Sequence, residues 1–130
     1  MLNMDTSRTL GYLLVLYCTN FTFVLCVEEE ICRRDSFEPI CPQGSTILIN
    51  SARFGRMKHG KCISEGMVGC TENVQGYIDS ECFGQSSCSI FVPDRQLLTA
   101  NPCSKDQVVH LEVSYECIQG NIISIIASIE

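Results

Sequence analysis

The sequence predicts a small disulfide-rich α+β domain. Three observations predict it. Eight of the ten cysteines fall between residues 32 and 117. Two stretches, STILINSARF (45–54) and QVVHLEVSYEC (107–117), alternate with the period of a β-strand. One stretch between them, TENVQGYIDSEC (71–82), carries apolar residues at helical spacing.

The first 26 residues read as a secretory signal peptide. Arg8 precedes the apolar run LGYLLVLYC, which resumes after Thr19 and Asn20 as FTFVLC. That run is short and broken by polar residues, so it does not suit a membrane span. Val24 and Cys26 are small enough for the −3 and −1 positions of a cleavage site, which places cleavage near Cys26. The alternative is an uncleaved N-terminal anchor. Asn20-Phe21-Thr22 is a formal glycosylation sequon that would leave with the leader.

Removal of the leader takes Cys18 and Cys26 with it and leaves Cys32, Cys41, Cys62, Cys70, Cys82, Cys88, Cys103 and Cys117. An even count behind a leader means an oxidised framework, secreted or on the outer face of the cell. Eight cysteines allow about 105 pairings, so spacing leaves the connectivity open. Residues 27–117 make a 91-residue domain, small enough that a core alone stabilises it only marginally. Each bridge contributes about 2–4 kcal/mol. Zinc is not indicated: no CxxC pair exists, and His59 and His110 lack ligand spacing. The net charge of −6 argues against a nucleic-acid partner, which requires a basic face.

Along the chain, acidic VEEE (27–30) leads to Cys32, and Pro39 and Pro42 bracket Cys41. The strand at 45–54 is expected to be buried on both sides, with Ile47, Ile49 and Ser51 on one face and Leu48, Asn50 and Ala52 on the other. Phe54-Gly55-Arg56 ends it, with Gly55 free to take a positive φ or a close backbone approach. Arg53, Arg56, Lys58 and Lys61 then place four positive charges in nine residues. They read as a solvated loop, or as a patch for an anionic glycan or acidic partner. Thr71 is expected to cap the helix at 71–82, with Glu72 in its first turn. Val74, Tyr77 and Ile78 form its core-facing stripe. Cys82 and Cys88 flank a turn closely enough to pair across it, and SSCSIFV (86–92) reads as a short strand. DRQLLTA (94–100) suits one helical turn. ANPCSK (100–105) is a turn held by Pro102 and Cys103. In the closing strand Val109, Leu111, Val113, Tyr115 and Cys117 are expected inside, with His110, Glu112, Ser114 and Glu116 in water. The apolar tail at 118–130 is a loose end or the start of a second domain.

No catalytic set emerges. The chain has no serine elbow, no phosphate-binding glycine loop and no His paired with a free nucleophile. No enzyme activity, cofactor or metal is expected.

The ordered landmarks carry a family resemblance. Ala52-Arg53-Phe54-Gly55-Arg56, Cys82-Phe83-Gly84-Gln85-Ser86-Ser87-Cys88, Asn101-Pro102-Cys103 and His110–Cys117 occur in sequence. Together they resemble the sea-urchin-egg-lectin type domain, the rhamnose- or galactose-binding lectin domain also carried by latrophilin-like adhesion receptors. The resemblance covers about residues 27–117. It implies an antiparallel β-structure with one longer helix and the bridges Cys32–Cys62, Cys41–Cys117, Cys70–Cys103 and Cys82–Cys88.

It also implies a sugar site, and this chain departs from the family there. Arg33 stands where the family has Glu, Asn101 where it has Asp, and Val109 where it has Lys, in a 104–109 loop one residue longer. Arg only donates hydrogen bonds, Asn loses charge-assisted strength, and Val makes none. Asp35, Lys105 and Asp106 are the residues placed to compensate. The sugar-binding candidates are thus Arg33, Asp35, Asn101, Lys105 and Asp106. The implied function is a non-catalytic lectin module for secreted or cell-surface glycans, possible also as a multimer or within a multi-domain chain. One alternative is a protein-binding adhesion module with a degenerate pocket, its partner a protein receptor. Another is sulfated-glycan binding through the 53–61 loop. A disulfide-rich inhibitor or toxin rests on cysteine density alone.

Overall fold

The computed structural model describes residues 26–120. Residues 1–25 and 121–130, which hold most of the expected signal peptide (1–26) and of the tail (118–130), lie outside the described residues. Strands β1 (Cys26–Ile31), β3 (Ser45–Gly55), β4 (Thr71–Asn73) and β6 (His110–Gln119) form an antiparallel sheet in the order β1-β6-β3-β4. Strands β2 (Ser36–Phe37) and β5 (Ile90–Phe91) form a two-stranded ribbon. Helices α1 (Gln75–Cys82) and α2 (Arg95–Ala100) complete the α+β fold. Strand β6 continues to Gln119, and Gly120 N–H donates to the Gly44 carbonyl at 2.7 Å.

Strand β3 does not keep simple alternation. Its pairing with β6 shifts register between Ile49 and Ser51, where a bulge takes up Asn50. One extra residue flips the side-chain phase. Ala52 and Phe54 therefore join Ile47 and Ile49 in the core, while Ser51 and Arg53 face water. This corrects the expected grouping of Ser51 with the two isoleucines. Leu111, Val113 and Tyr115 of β6 pack on the same side, and Phe37 meets Tyr115 edge-on at 5.5 Å.

The expected helix start is also corrected. Thr71 and Glu72 belong to β4, paired with Gly55 and Phe54, and α1 begins only at Gln75. Sheet pairing overrides the capping signal because Gly55 lets the two backbones meet: a Cβ there would lie 2.1 Å from the Cys70 carbonyl oxygen, at φ +140°. The stripe survives, with Val74 and Ile78 buried and Tyr77 packed against the core. The turn of α2 is capped by Asp94, whose side chain accepts from Leu97 N–H. Tyr77 OH donates to the same carboxylate.

The wet face of β6 is covered. His110, Ser114 and Glu116 are buried, not solvated, on the strand that lies between β1 and β3. His110 lies opposite Gly55 in the register, and Asn50 Nδ2 donates to Glu116 at 3.3 Å. Four disulfides tie the scaffold: Cys32–Cys62, Cys41–Cys117, Cys70–Cys103 and Cys82–Cys88, the pairings that the resemblance implies. Among the described residues no helix is long and apolar enough to cross a membrane.

Candidate functional site

Two loops meet beside the end of β3. One, residues 56–70, is closed by Cys70–Cys103 and by Cys32–Cys62. The other, residues 101–109, leads from α2 into β6. Arg56 joins them. Its side chain donates from Nε to Met67 O (2.7 Å), from Nη2 to Glu65 O (2.8 Å) and from Nη1 to Val108 O (2.7 Å). His59 Nε2 donates to the Gly66 carbonyl between them at 2.7 Å. Three consecutive carbonyls of the first loop are thus fixed by two side chains.

Arg56 is consequently 6% exposed and cannot serve an external anion. The expected basic patch dissolves further. Arg53 pairs with Glu112 at 3.0 Å, and Lys58 lies 3.8 Å from the same carboxylate. Both side chains border a cavity of about 300 Å³ that Glu28, Glu29 and Glu30 also line. Lys61 is exposed but borders an acidic groove with Asp35 and Glu38. The four cations do not form one positive surface, so sulfated-glycan binding through 53–61 loses its basis.

The sugar-binding candidates are scattered, with Asp35 and Asp106 lining different cavities. Arg33 is exposed in a turn closed by Asp35 N–H donating to Cys32 O at 3.0 Å. Asp35 lines the acidic groove. Asn101 caps α2, and its Oδ1 accepts from Cys103 N–H at 2.9 Å, so its acceptor is already engaged in the turn. Val109 is buried at 4% exposure. Lys105 is exposed, and Asp106 lines a third cavity of about 400 Å³ between the two loops. Among the described residues, no hydrogen bond or ion pair joins Arg33, Asp35, Lys105 or Asp106 to one another.

That third cavity contains residues that sequence reasoning missed. Ile63, Met67 and Val108 supply apolar surface, and Gln107 borders it. Gly66 and Gly69, both at positive φ on either side of Met67, are the one sequence signal for a sharply bent loop there.

The family model for the D-galactoside/L-rhamnose binding SUEL lectin domain matches residues 40–117. The chain belongs to the SUEL lectin domain family. A D-galactoside-specific lectin of Heliocidaris crassispina is 28% identical over 98 residues, covering 69% of this chain and 89% of that protein. In this SUEL domain the Phe54-Gly55-Arg56 motif has a structural role visible in the geometry. Phe54 fills the core, Gly55 admits the Cys70 carbonyl, and Arg56 organises both loops.

Proposed function

We propose that this chain is an extracellular, non-catalytic lectin module that reversibly binds galactose- or rhamnose-type sugars. The observation that carries the reading is the family match across residues 40–117, supported by the galactoside-specific lectin to which the chain is similar. Four disulfides in so small a domain support an oxidising, extracellular setting. The shallow surface around the 101–109 turn suits an affinity of about 1 mM, equivalent to about −4 kcal/mol. Useful avidity then requires several copies on one chain or assembly. The test is a column of immobilised galactose or rhamnose. Retention or retardation that free sugar abolishes supports the lectin; passage through both columns without retardation refutes it.

A second reading is a protein-binding adhesion module on the same scaffold. It is favoured by the buried Val109 and by Asn101, whose Oδ1 already accepts one hydrogen bond from its own turn. Flow-through on both sugar columns supports this reading.

A further inference from the structure

We propose that the free edge of β1 receives an extended, lysine- or arginine-rich segment of another protein as an added strand. The inference goes beyond the sugar reading and uses a different part of the molecule. Strand β1 is the outermost of the four-stranded sheet on its side and pairs only with β6. Among the described residues no backbone hydrogen bond reaches it from its other side. Every second residue of such a strand turns its N–H and C=O away from its neighbour, so the edge offers a row of unmade ladder bonds.

Strand β1 lacks three of the usual defences of an edge. It is six residues long, its register against β6 runs unbroken from Cys26 to Ile31, and CVEEEI contains no proline. Charge is the defence that remains, and charge selects the partner. Successive side chains of a strand alternate between faces. Glu28 and Glu30 stand opposite Ser114 and Glu112 on one face, and Glu29 stands opposite Val113 on the other. A strand added here meets carboxylates on both faces.

Most of this negative charge is uncompensated. Two cavities share Glu28, Glu29 and Glu30 in their linings. In the first, Arg53 and Lys58 stand 3.0 and 3.8 Å from Glu112. In the second, Asp35 and Glu38 join the three glutamates, against Lys61 as the single cation. Glu30 accepts from Cys62 N–H at 3.1 Å. Among the described residues no hydrogen bond or ion pair engages the carboxylates of Glu28, Glu29, Asp35 or Glu38. The same charges disfavour a second copy of the chain: two β1 edges side by side would set glutamates against glutamates, and like charges across a strand pair repel. Lysine or arginine in the added strand forms opposite-charge cross-strand pairs while the backbones complete the ladder. Val27, 37% exposed, adds an apolar contact on the Glu29 face.

The test is fluorescence anisotropy of the full chain with labelled peptides as long as β1. One alternates lysine with valine and one alternates glutamate with valine. A third is the lysine peptide with every backbone nitrogen methylated, which keeps its charge but donates no ladder bond. The lysine peptide is expected to bind about tenfold more tightly than either of the others and to weaken as salt rises. Glu28→Gln combined with Glu29→Gln is expected to weaken its binding about fivefold, the worth of two lost opposite-charge pairs. Circular dichroism verifies that this variant folds. Equal binding of the lysine peptide and its methylated form reduces the contact to charge alone and overturns strand addition. Equal binding of the lysine and glutamate peptides, or an unchanged affinity in the double variant, overturns the charge selection. Absence of saturable binding by the lysine peptide overturns the proposal outright. So does a dimer in analytical ultracentrifugation that the double variant strengthens, because that assigns the edge to a second copy.

Discussion

Arg56 Nη1 donates to the carbonyl of Val108, 52 residues away, over 2.7 Å. Through this contact the loop that follows β3 and the loop that precedes β6 share one rigid centre. Loss of the guanidinium leaves three part-buried carbonyls without their donor. Arg56→Ala is therefore expected to destabilise the domain by about 2–4 kcal/mol. Lysine does not restore it, because a single ammonium cannot reproduce the planar fork that reaches three acceptors. Urea denaturation of the three proteins measures this. Equal midpoints for wild type and Arg56→Ala would refute the clamp.

The clamp marks the limit of what the sequence made legible. Strand, helix and turn signals came from local pattern, and the closing strand and the stripe at Val74, Tyr77 and Ile78 were readable from it. Arg56 looked like one member of a charge run, because only folding brings the carbonyls of residues 65, 67 and 108 to one point. His110 looked solvated for a related reason: alternation separates two faces but does not tell whether the second is covered. The bulge at Asn50 left no mark in the strand pattern, and it exchanged Ser51 for Ala52 in the core. The pairing of Thr71 with Gly55 defeated a local capping signal. The sugar candidates were located as chain positions by resemblance, but their engagement or burial is a property of the tertiary structure.

Alkaline pH is expected to unfold the domain through two tyrosines. Burial, reinforced by the hydrogen bond to Asp94, pushes the Tyr77 phenol far above its ordinary value. Burial, aided by the Glu29 carboxylate, also raises Tyr115. A folded-state pKa above the unfolded value gives stability that is present below the unfolded pKa, about 10, and lost as pH rises beyond it. Denaturation midpoints are thus expected to stay level up to about pH 9.5 and then to fall. Tyr115→Phe removes one ionisable group and should flatten the fall. A slope identical to that of wild type would show that Tyr115 is not responsible.

The disulfides differ in the chain length they close. Cys41–Cys117 spans 76 residues of sequence and Cys82–Cys88 only 6. Loop-closure entropy makes the long bridge worth about 4 kcal/mol and the short one about 2 kcal/mol. Paired Cys→Ala replacement at 41 and 117 is therefore expected to lower the melting temperature more than replacement at 82 and 88. The reverse order in a calorimetric comparison would assign the difference to native-state contacts instead.

Asn101 is the position where a single atom separates the two readings of function. Its Oδ1 is committed to Cys103 N–H, and its other terminal atom is an amide nitrogen that only donates. Asn101→Asp keeps an oxygen for the turn and turns the second atom into a charged acceptor at the end of α2. If the surface around the 101–109 turn receives a sugar, affinity for galactoside or rhamnoside should rise about tenfold, the worth of a charge-assisted bond. The same exchange at Val109 offers no such gain. Val109 is buried, so Val109→Lys costs stability before its ammonium reaches any ligand. Titration of the two variants beside wild type separates the outcomes. Tighter binding in Asn101→Asp alone is expected of a lectin whose site is weakened but intact. No response in either variant, with sugar still bound, would place recognition elsewhere on the molecule.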